Sequence, residues 1–272
     1  YYHDLNKIIQ AFEQYFRQVP EKGFIVYCAD CPICRDLAYA VPGRYISYAL
    51  HEEADYSAVN IELGQGISAD IYYHSQKLGR LRLKVPGTHN IANAMAAIAV
   101  GRELGLEFEA CAAGLYCFSG TGRRFEKMGQ FGKLAVIDDY AHHPTEIKRT
   151  IEAARGQGVQ KLTVVFQPHR YTRTQSMYRD FALALMDADR VVLCEIYPAF
   201  EPPLDGVSAH LIVDAMRQFG HADVAYAAGP DETLAFLNET VADEDMVLIM
   251  GAGNIRSVSE RFVAARKENG HE

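Results

Sequence analysis

The sequence predicts an α/β protein in two regions. The second half is expected to be a mostly parallel sheet with helices on both faces, and the first an α/β region with antiparallel strands. Three observations carry this. Beyond residue 120, short Val/Ile/Leu-rich runs alternate with longer stretches of helical period, the order that builds a parallel sheet between two helix layers. Between Tyr45 and Lys84 the apolar residues mostly alternate, with turn signals at Gly64, Gly66 and Gly79, as antiparallel strands joined by turns require. Finally, 272 residues at about 150 per domain suggest two domains.

The elements follow in order. Leu5, Ile8, Ile9, Phe12, Tyr15 and Phe16 recur at helical spacing, and Pro20 closes that helix. Phe24 to Cys28 reads as a strand and Pro32 to Ala40 as a short helix. After the strands of Tyr45–Lys84, Val85-Pro86-Gly87 makes a turn. Ile91 to Val100 is apolar nearly all round, which predicts a buried helix. Glu109 to Cys117 is another helix. Small, permissive residues at Ser119-Gly120-Thr121-Gly122 predict a linker, so the expected domains are 1–119 and 120–272. Strands are then expected at Leu134–Ile137, Leu162–Phe166, Val191–Cys194, Val224–Tyr226 and Met246–Met250. Helices are expected between and after them at Pro144–Arg155, Gln175–Met186, Val207–Gln218, Thr233–Thr240 and Ile255–Ala265.

Hydrophobic types at 49% and charged types at 23% can bury a core, which excludes a disordered or collagen-like chain. A net charge of −8 argues against a general binder of nucleic acid or anionic lipid, while leaving room for a local basic pocket. No apolar run reaches the roughly 20 residues of a membrane span. The chain opens Tyr1-Tyr2-His3-Asp4 without a Met and enters a helical pattern at once, so it is expected to be cut from something longer. The six cysteines are not needed as staples at this size, and a reducing cytoplasm is the expected setting.

In an open parallel sheet, ligands bind beyond the carboxyl ends of the strands. Those ends are followed by Asp138-Asp139-Tyr140-Ala141-His142-His143, by Gln167-Pro168-His169-Arg170-Tyr171-Thr172-Arg173, by Glu195-Ile196-Tyr197-Pro198 and by Gly251-Ala252-Gly253-Asn254. Charged and imidazole groups therefore gather at one rim. Arg170 and Arg173 are three apart at a helix start, where two guanidinium forks can grip a carboxylate or phosphate. The plainer alternative is two surface arginines paired with carboxylates. Asp138-Asp139 with His142-His143 could ligate zinc or manganese. Alternatively, Asp139 orients a histidine that moves protons or anchors substrate, or an Asp caps the Pro144 helix. With no further ligand motif in view, substrate positioning is favoured over a metal site.

Other segments are weaker by themselves. Asn90 and Asn93 open the Ala-rich helix; their amides match the edge of adenine, but Asn90 could equally be an N-cap. Arg123 and Arg124 place two cations on the linker, either for a phosphate or simply as an exposed hinge. Cys28, Cys31 and Cys34 form C-x2-C-x2-C, which resembles the start of an iron–sulfur run but lacks a fourth close cysteine. No G-x-x-x-x-G-K-[ST] loop occurs; Gly132-Lys133 is followed by Leu134.

Taken together, PGTHNIANAMAAIAVG (Pro86–Gly101), SGTGRRFE (Ser119–Glu126), DDYAHHPTEI (Asp138–Ile147), FQPHRYTRT (Phe166–Thr174), EIYPAFEPP (Glu195–Pro203) and GAGNI (Gly251–Ile255) resemble the Mur ligase family. Residues 1–85 match more loosely: Asp30-Cys31-Pro32 looks like the family's Asp-Asp-Pro turn with Cys31 in place of the second Asp. The resemblance implies the latter part of a central ATPase domain followed by a Rossmann-like C-terminal domain. The phosphate loop, the main magnesium ligands, the uridine site and the missing N-terminal portion of the same protein would then lie upstream, and this chain alone would form no amide. The implied reaction joins L-alanine to the carboxylate of UDP-N-acetylmuramate through an acyl phosphate, using ATP and Mg²⁺, in peptidoglycan precursor synthesis. By the same resemblance Asn90 and Asn93 contact adenine, and Arg123 or Arg124 reaches ATP phosphate. Asp139, His142 and His143 are the catalytic candidates, with Asp139 an organiser near the nucleotide. Tyr140, His169, Arg170 and Arg173 receive alanine and the acyl phosphate together with the two histidines. The alternatives are a recycling ligase that attaches a tripeptide to the same sugar nucleotide, and a binding module for an anionic metabolite that performs no turnover.

Overall fold

The computed structural model describes residues 4–64, 66–241 and 245–268; Tyr1, Tyr2 and His3, singled out above at the chain's start, lie outside them. The chain divides into two compact units, Tyr1–Ser119 and Gly120–Glu272.

The first unit opens with α1 (Leu5–Phe16), capped by Asp4, whose carboxylate accepts the Lys7 N–H at 2.9 Å. Its apolar stripe is not fully buried anywhere along the helix. There follow β1 (Ile25–Cys28), α2 (Pro32–Ala40), β2 (Tyr45–Ala49), β3 (Tyr56–Gly64), β4 (Gly66–Tyr73), β5 (Gln76–Leu83), α3 (Thr88–Glu103) and α4 (Phe108–Cys117). The strands lie in sequence order, with β3, β4 and β5 antiparallel as the alternation predicts. Strand β2 departs from that expectation, because it is parallel to both β1 and β3. Two carboxylates explain it. Asp30 accepts the N–H groups of Leu50, His51 and Glu52, and Asp55 accepts both the N–H and the hydroxyl of Ser47. The loop between β2 and β3 is thereby drawn out and returned to the same end of the sheet. Gly79 is not a turn. It lies inside β5, where a Cβ would stand 2.5 Å from the Phe108 ring.

Helix α3 buries Ile91, Ala94, Met95, Ile98 and Ala99 against the sheet, while Asn93, Ala97 and Val100 are exposed. It is buried on one face, not all round. Alanines on the outer face look apolar in sequence without being covered.

The second unit contains β6 (Glu126–Phe131), β7 (Leu134–Asp139), α5 (Pro144–Arg155), β8 (Lys161–Phe166), α6 (Tyr171–Leu185), β9 (Arg190–Cys194), α7 (His210–Gln218), β10 (Val224–Ala227), α8 (Pro230–Thr240), β11 (Asp245–Met250) and α9 (Arg256–Glu268). The sheet runs β10-β9-β8-β11-β7-β6, and every pair is parallel except β6 with β7. Leu162, Val164, Val191, Leu193, Met246 and Leu248 pack against α5, α6 and α7. Val165, Val192, Val247 and Ile249 face α8 and α9. Burial on both faces is why these strands read as continuous apolar runs.

The chain moves outward from β7 through β8, β9 and β10, then returns to place β11 between β8 and β7. That reversal aligns three carboxyl ends, with Met250 beside both Asp139 and Phe166. A crevice at such a switch point is where an α/β sheet binds its ligand.

Candidate active site

Beyond the strand ends the backbone stays knit. Gly251 N–H donates to the Asp139 carbonyl at 3.1 Å and Gln167 N–H to the Met250 carbonyl at 3.0 Å. Tyr197 N–H donates to Pro168 and Arg170 N–H to Tyr197, both at 2.8 Å. The loops after β7, β8, β9 and β11 thus form one platform. Gly253 fits into it only without a side chain, since a Cβ would come within 2.4 Å of Gln167 Oε1 and 2.5 Å of the Tyr197 ring.

On this platform the aromatic and cationic groups form a wall. The rings of Tyr140 and His142 meet edge-on at 5.4 Å, His142 and His169 are 5.8 Å apart, and His169 stacks on Tyr197 at 5.7 Å. His142 Nδ1 lies 2.9 Å from the Tyr140 carbonyl. Arg173 reaches back to the His142 carbonyl at 3.5 Å. Burial lowers the pKa of Arg173, and neighbouring Arg170 lowers it further. Burial also holds the His169 imidazole below its ordinary pKa, with Arg173, His142 and Arg170 adding to the effect. Its Nδ1 is buried and has no hydrogen-bond partner among the described residues. Two guanidiniums beside a largely uncharged imidazole make an anion-receiving surface.

Arg170 and Arg173 belong to the first turn of α6, which begins four residues earlier than the pattern predicts. Arg170 is its N-cap, in the left-handed region at φ +74°, a conformation uncommon for a side-chain-bearing residue. Glu201 holds the turn: its carboxylate accepts the N–H and hydroxyl of Thr172 at 3.1 and 2.7 Å and lies 3.5 Å from the Arg170 guanidinium.

The carboxylates lie deeper. Asp139 is buried and accepts the N–H groups of Phe125 and Ala141, each at 2.7 Å; burial pushes its pKa up. It therefore ties the Gly120–Phe125 segment to the end of β7. Asp138 is completely enclosed by Arg123, Arg256 and Ser259, each contributing a donor at 3.3 Å. Burial raises its pKa as well. The capping alternative is corrected in its residue: His143, not an aspartate, caps α5. Its ring accepts the Thr145 N–H at 3.3 Å while Glu146 accepts the His143 N–H at 3.2 Å.

The two linker arginines separate. Arg123 turns inward, donating to the Gly251 carbonyl at 2.6 Å and lying 4.8 Å from the centre of the Tyr140 ring. Arg124 remains half exposed, 3.9 Å from Glu146. Asn90 and Asn93 belong to the first unit, near the start of α3. Gly87 is the N-cap there, not Asn90, whose amide donates to the Pro86 carbonyl at 2.6 Å; Asn93 donates to Asn90 Oδ1 at 3.4 Å. Among the described residues no group of three or more His, Cys, Asp or Glu is arranged to hold a metal ion.

Sequence reasoning did not single out Tyr197, Glu201 or Arg256. The first two lie on the loop after β9, directly beside the arginine loop, and strand adjacency would have exposed them. Arg256 pairs with Glu126 and Asp138 across more than a hundred residues of chain, which no local pattern reveals.

Comparison with known proteins gives a consistent result. The Mur ligase middle domain matches residues 1–101, and the domain described as "Mur ligase, glutamate ligase domain" matches residues 123–253. The UDP-N-acetylmuramate--L-alanine ligase of Pelotomaculum thermopropionicum is 45% identical over 99% of this chain and 59% of its own length. That of Salinibacter ruber is 40% identical over 99% of this chain and 57% of its own. The chain thus spans somewhat under two thirds of these relatives. Among solved structures, UDP-N-acetylmuramate-alanine ligase MurC from Thermotoga maritima superposes with a TM-score of 0.80 at 28% identity, covering 98% of this chain and 56% of that one. A murein peptide ligase from Psychrobacter arcticus gives 0.69 at 21% identity, covering 97% and 55%, a likeness of fold alone. With two domains of one family matched in succession and its curated members similar from end to end of the sequence, the chain belongs to the Mur ligase family.

Proposed function

We propose that this chain is part of an ATP-dependent ligase that joins L-alanine to the carboxylate of UDP-N-acetylmuramate in peptidoglycan precursor synthesis. In this reading, 1–119 is the C-terminal part of the central ATP-binding domain and 120–272 is the C-terminal domain. The observation that carries it is the clustering of Arg170, Arg173, His142 and His169 at the switch point of the second sheet. The names of the relatives at 36–45% identity support the same substrate pair. The murein peptide ligase likeness supports only the fold.

A carboxylate resists attack by an amine because resonance and negative charge oppose it. Phosphorylation by ATP supplies a leaving group; the amino group of L-alanine then adds to the acyl carbon and phosphate departs. Negative charge on phosphoryl and carbonyl oxygens calls for fixed cations and positioning. Arg173 and Arg170 hold the alanine carboxylate and face the acyl phosphate. His142 and His169 line the same wall, where the His169 imidazole, held below its ordinary pKa by burial, can take the proton that the amine gives up as it adds, the positive charge passing from the amine nitrogen to the ring. Tyr140 forms the edge of that wall. Asp139 and His143 act by positioning, the first through Phe125 and Ala141, the second through the start of α5. Arg124 serves the nucleotide phosphates, since Arg123 is occupied by Gly251 and Asp138. Asn90 and Asn93 serve adenine, with Asn93 the exposed amide. The described residues form no three-ligand metal group; in this reading the main magnesium ligands lie upstream of this chain. Among them no helix is long and apolar enough to cross a membrane, which fits a cytoplasmic setting.

The test uses the full-length protein with ATP, UDP-N-acetylmuramate, and either L-alanine or a tripeptide. Amide formation with alanine is expected, and tripeptide use in its place refutes the assignment. Arg173→Ala is expected to raise KM for L-alanine roughly 10- to 150-fold, the loss of a charge-assisted contact of about 1.5–3 kcal/mol, with little change for ATP. Equal losses for both substrates would mean a collapsed domain instead.

A further inference from the structure

The C-x2-C-x2-C segment plays no part in the reaction proposed above. Cys31 is the N-cap of the nine-residue helix α2, Pro32 is its first residue and Cys34 its third. Residues three apart on an α-helix have Cα atoms about 5 Å apart, inside the Cα separations of about 4.4–6.8 Å that disulfides span. The Cys31 side chain adjoins that of Cys34 and adds to the rise in its pKa. Backbone bonds fix the position of Cys31: its N–H donates to Cys28 at 3.2 Å and its carbonyl accepts from Arg35 at 3.1 Å. Cys28 supplies a third sulfur at the end of β1, yet the three do not assemble into a metal-binding group. All are free thiols, and Cys31 is partly open to solvent.

We propose that Cys31 and Cys34 are a redox-active dithiol that closes into a disulfide across the first turn of α2 on meeting a low-molecular-weight disulfide. The thiolate of Cys31 attacks one sulfur of the small disulfide, and the other sulfur leaves as a thiolate. Cys34 gives up its proton and attacks Cys31 Sγ in the mixed disulfide, expelling the second small thiolate. Two cysteine thiols are oxidised and one small disulfide is reduced to two thiols. The order follows from position. Burial pushes the Cys34 thiol up to about 11, which makes Cys34 the poorer first nucleophile and the resolving thiol. The bond forms one residue from Asp30, the carboxylate that anchors Leu50, His51 and Glu52. Oxidation therefore bears directly on the loop after β2.

The test equilibrates the full-length protein with reduced and oxidised glutathione at a series of ratios, alkylates free thiols, and maps the digest by mass spectrometry. A linked Cys31–Cys34 peptide is expected to grow with the oxidised fraction and to vanish when reductant is restored. Cys28→Ser should leave it unchanged, while Cys34→Ser should trap glutathione on Cys31. The native protein should close at a disulfide-to-thiol ratio at least about tenfold lower than a guanidinium-unfolded sample, as a pair preorganised by the fold requires. Free Cys31 and Cys34 at the most oxidising ratio would overturn the proposal. So would a persistent glutathione adduct on wild-type Cys31, a bond to Cys28, or equal closure in the unfolded chain.

Discussion

The two sheets are covered differently. In β8, β9 and β11 successive side chains alternate between two closed cores. In the first unit β3 carries exposed residues from Val59 to Gly64 except for half-buried Ile61, and α1 has no fully buried residue although Leu5, Phe12 and Tyr15 lie on its apolar stripe. The contrast shows that an apolar pattern states what a segment can bury, whereas only its neighbours decide what it does bury. It also separates two kinds of site: the second unit holds its wall on strand ends closed from both faces, while the first presents its asparagines on a helix covered from one.

The largest test of that contrast is a pair of truncations in this chain. Leu248→Ala, in the doubly covered sheet, should cost about 2–5 kcal/mol. Phe12→Ala, at 52% exposure, should stay within about 0.5 kcal/mol. Hydrogen exchange read by peptides from each unit measures both, and equal costs would erase the distinction. Next comes acid sensitivity. Hydrogen bonds from Arg256 and from the Arg123 N–H hold Glu126 at about 2, below the ordinary 4.5. Its contribution is complete above the ordinary value and is lost as pH falls through the folded one. The gap in unfolding midpoint between wild type and Glu126→Gln should therefore close by about pH 2; an unchanged gap rejects the assignment. Asp138 and Asp139, both raised by burial, act with the opposite sign, which is why the variant is needed to isolate Glu126.

A smaller effect concerns the wall itself. His169 should titrate below 6.5 by NMR, and Arg173→Ala should move its midpoint upward. A midpoint at or above the ordinary value would remove the uncharged imidazole from the mechanism. Smallest is Glu201→Gln, which keeps an acceptor for Thr172 but gives up the charge beside Arg170. For a pair this open, up to about 1 kcal/mol, a few-fold in KM for L-alanine, is expected. A loss as large as that of Arg173→Ala would make Glu201 a substrate contact instead.

Much of this was legible in the residues. Pro144 and Arg155 bound α5 as the pattern predicts, because proline suits the first helical position. The five parallel strands showed themselves through two-sided burial. Strand β6 did not: Glu126–Phe131 mixes charge with a glycine at an edge, and its irregular pairing between Lys127 and Gly129 hides the period. The early start of α6 was masked by Arg170, whose left-handed backbone has no signature in an arginine. The rim could be read from residue types following each strand. Which arginine turned inward could not, since that depends on the Gly251 carbonyl, 128 positions away.

Arg170 also constrains anyone who would improve this protein. Its backbone occupies a region where glycine is at ease and any side chain costs of the order of 1–3 kcal/mol. Replacing it with glycine would relieve the turn and discard the guanidinium. Selection for heat resistance and selection for turnover should therefore pull this one position in opposite directions.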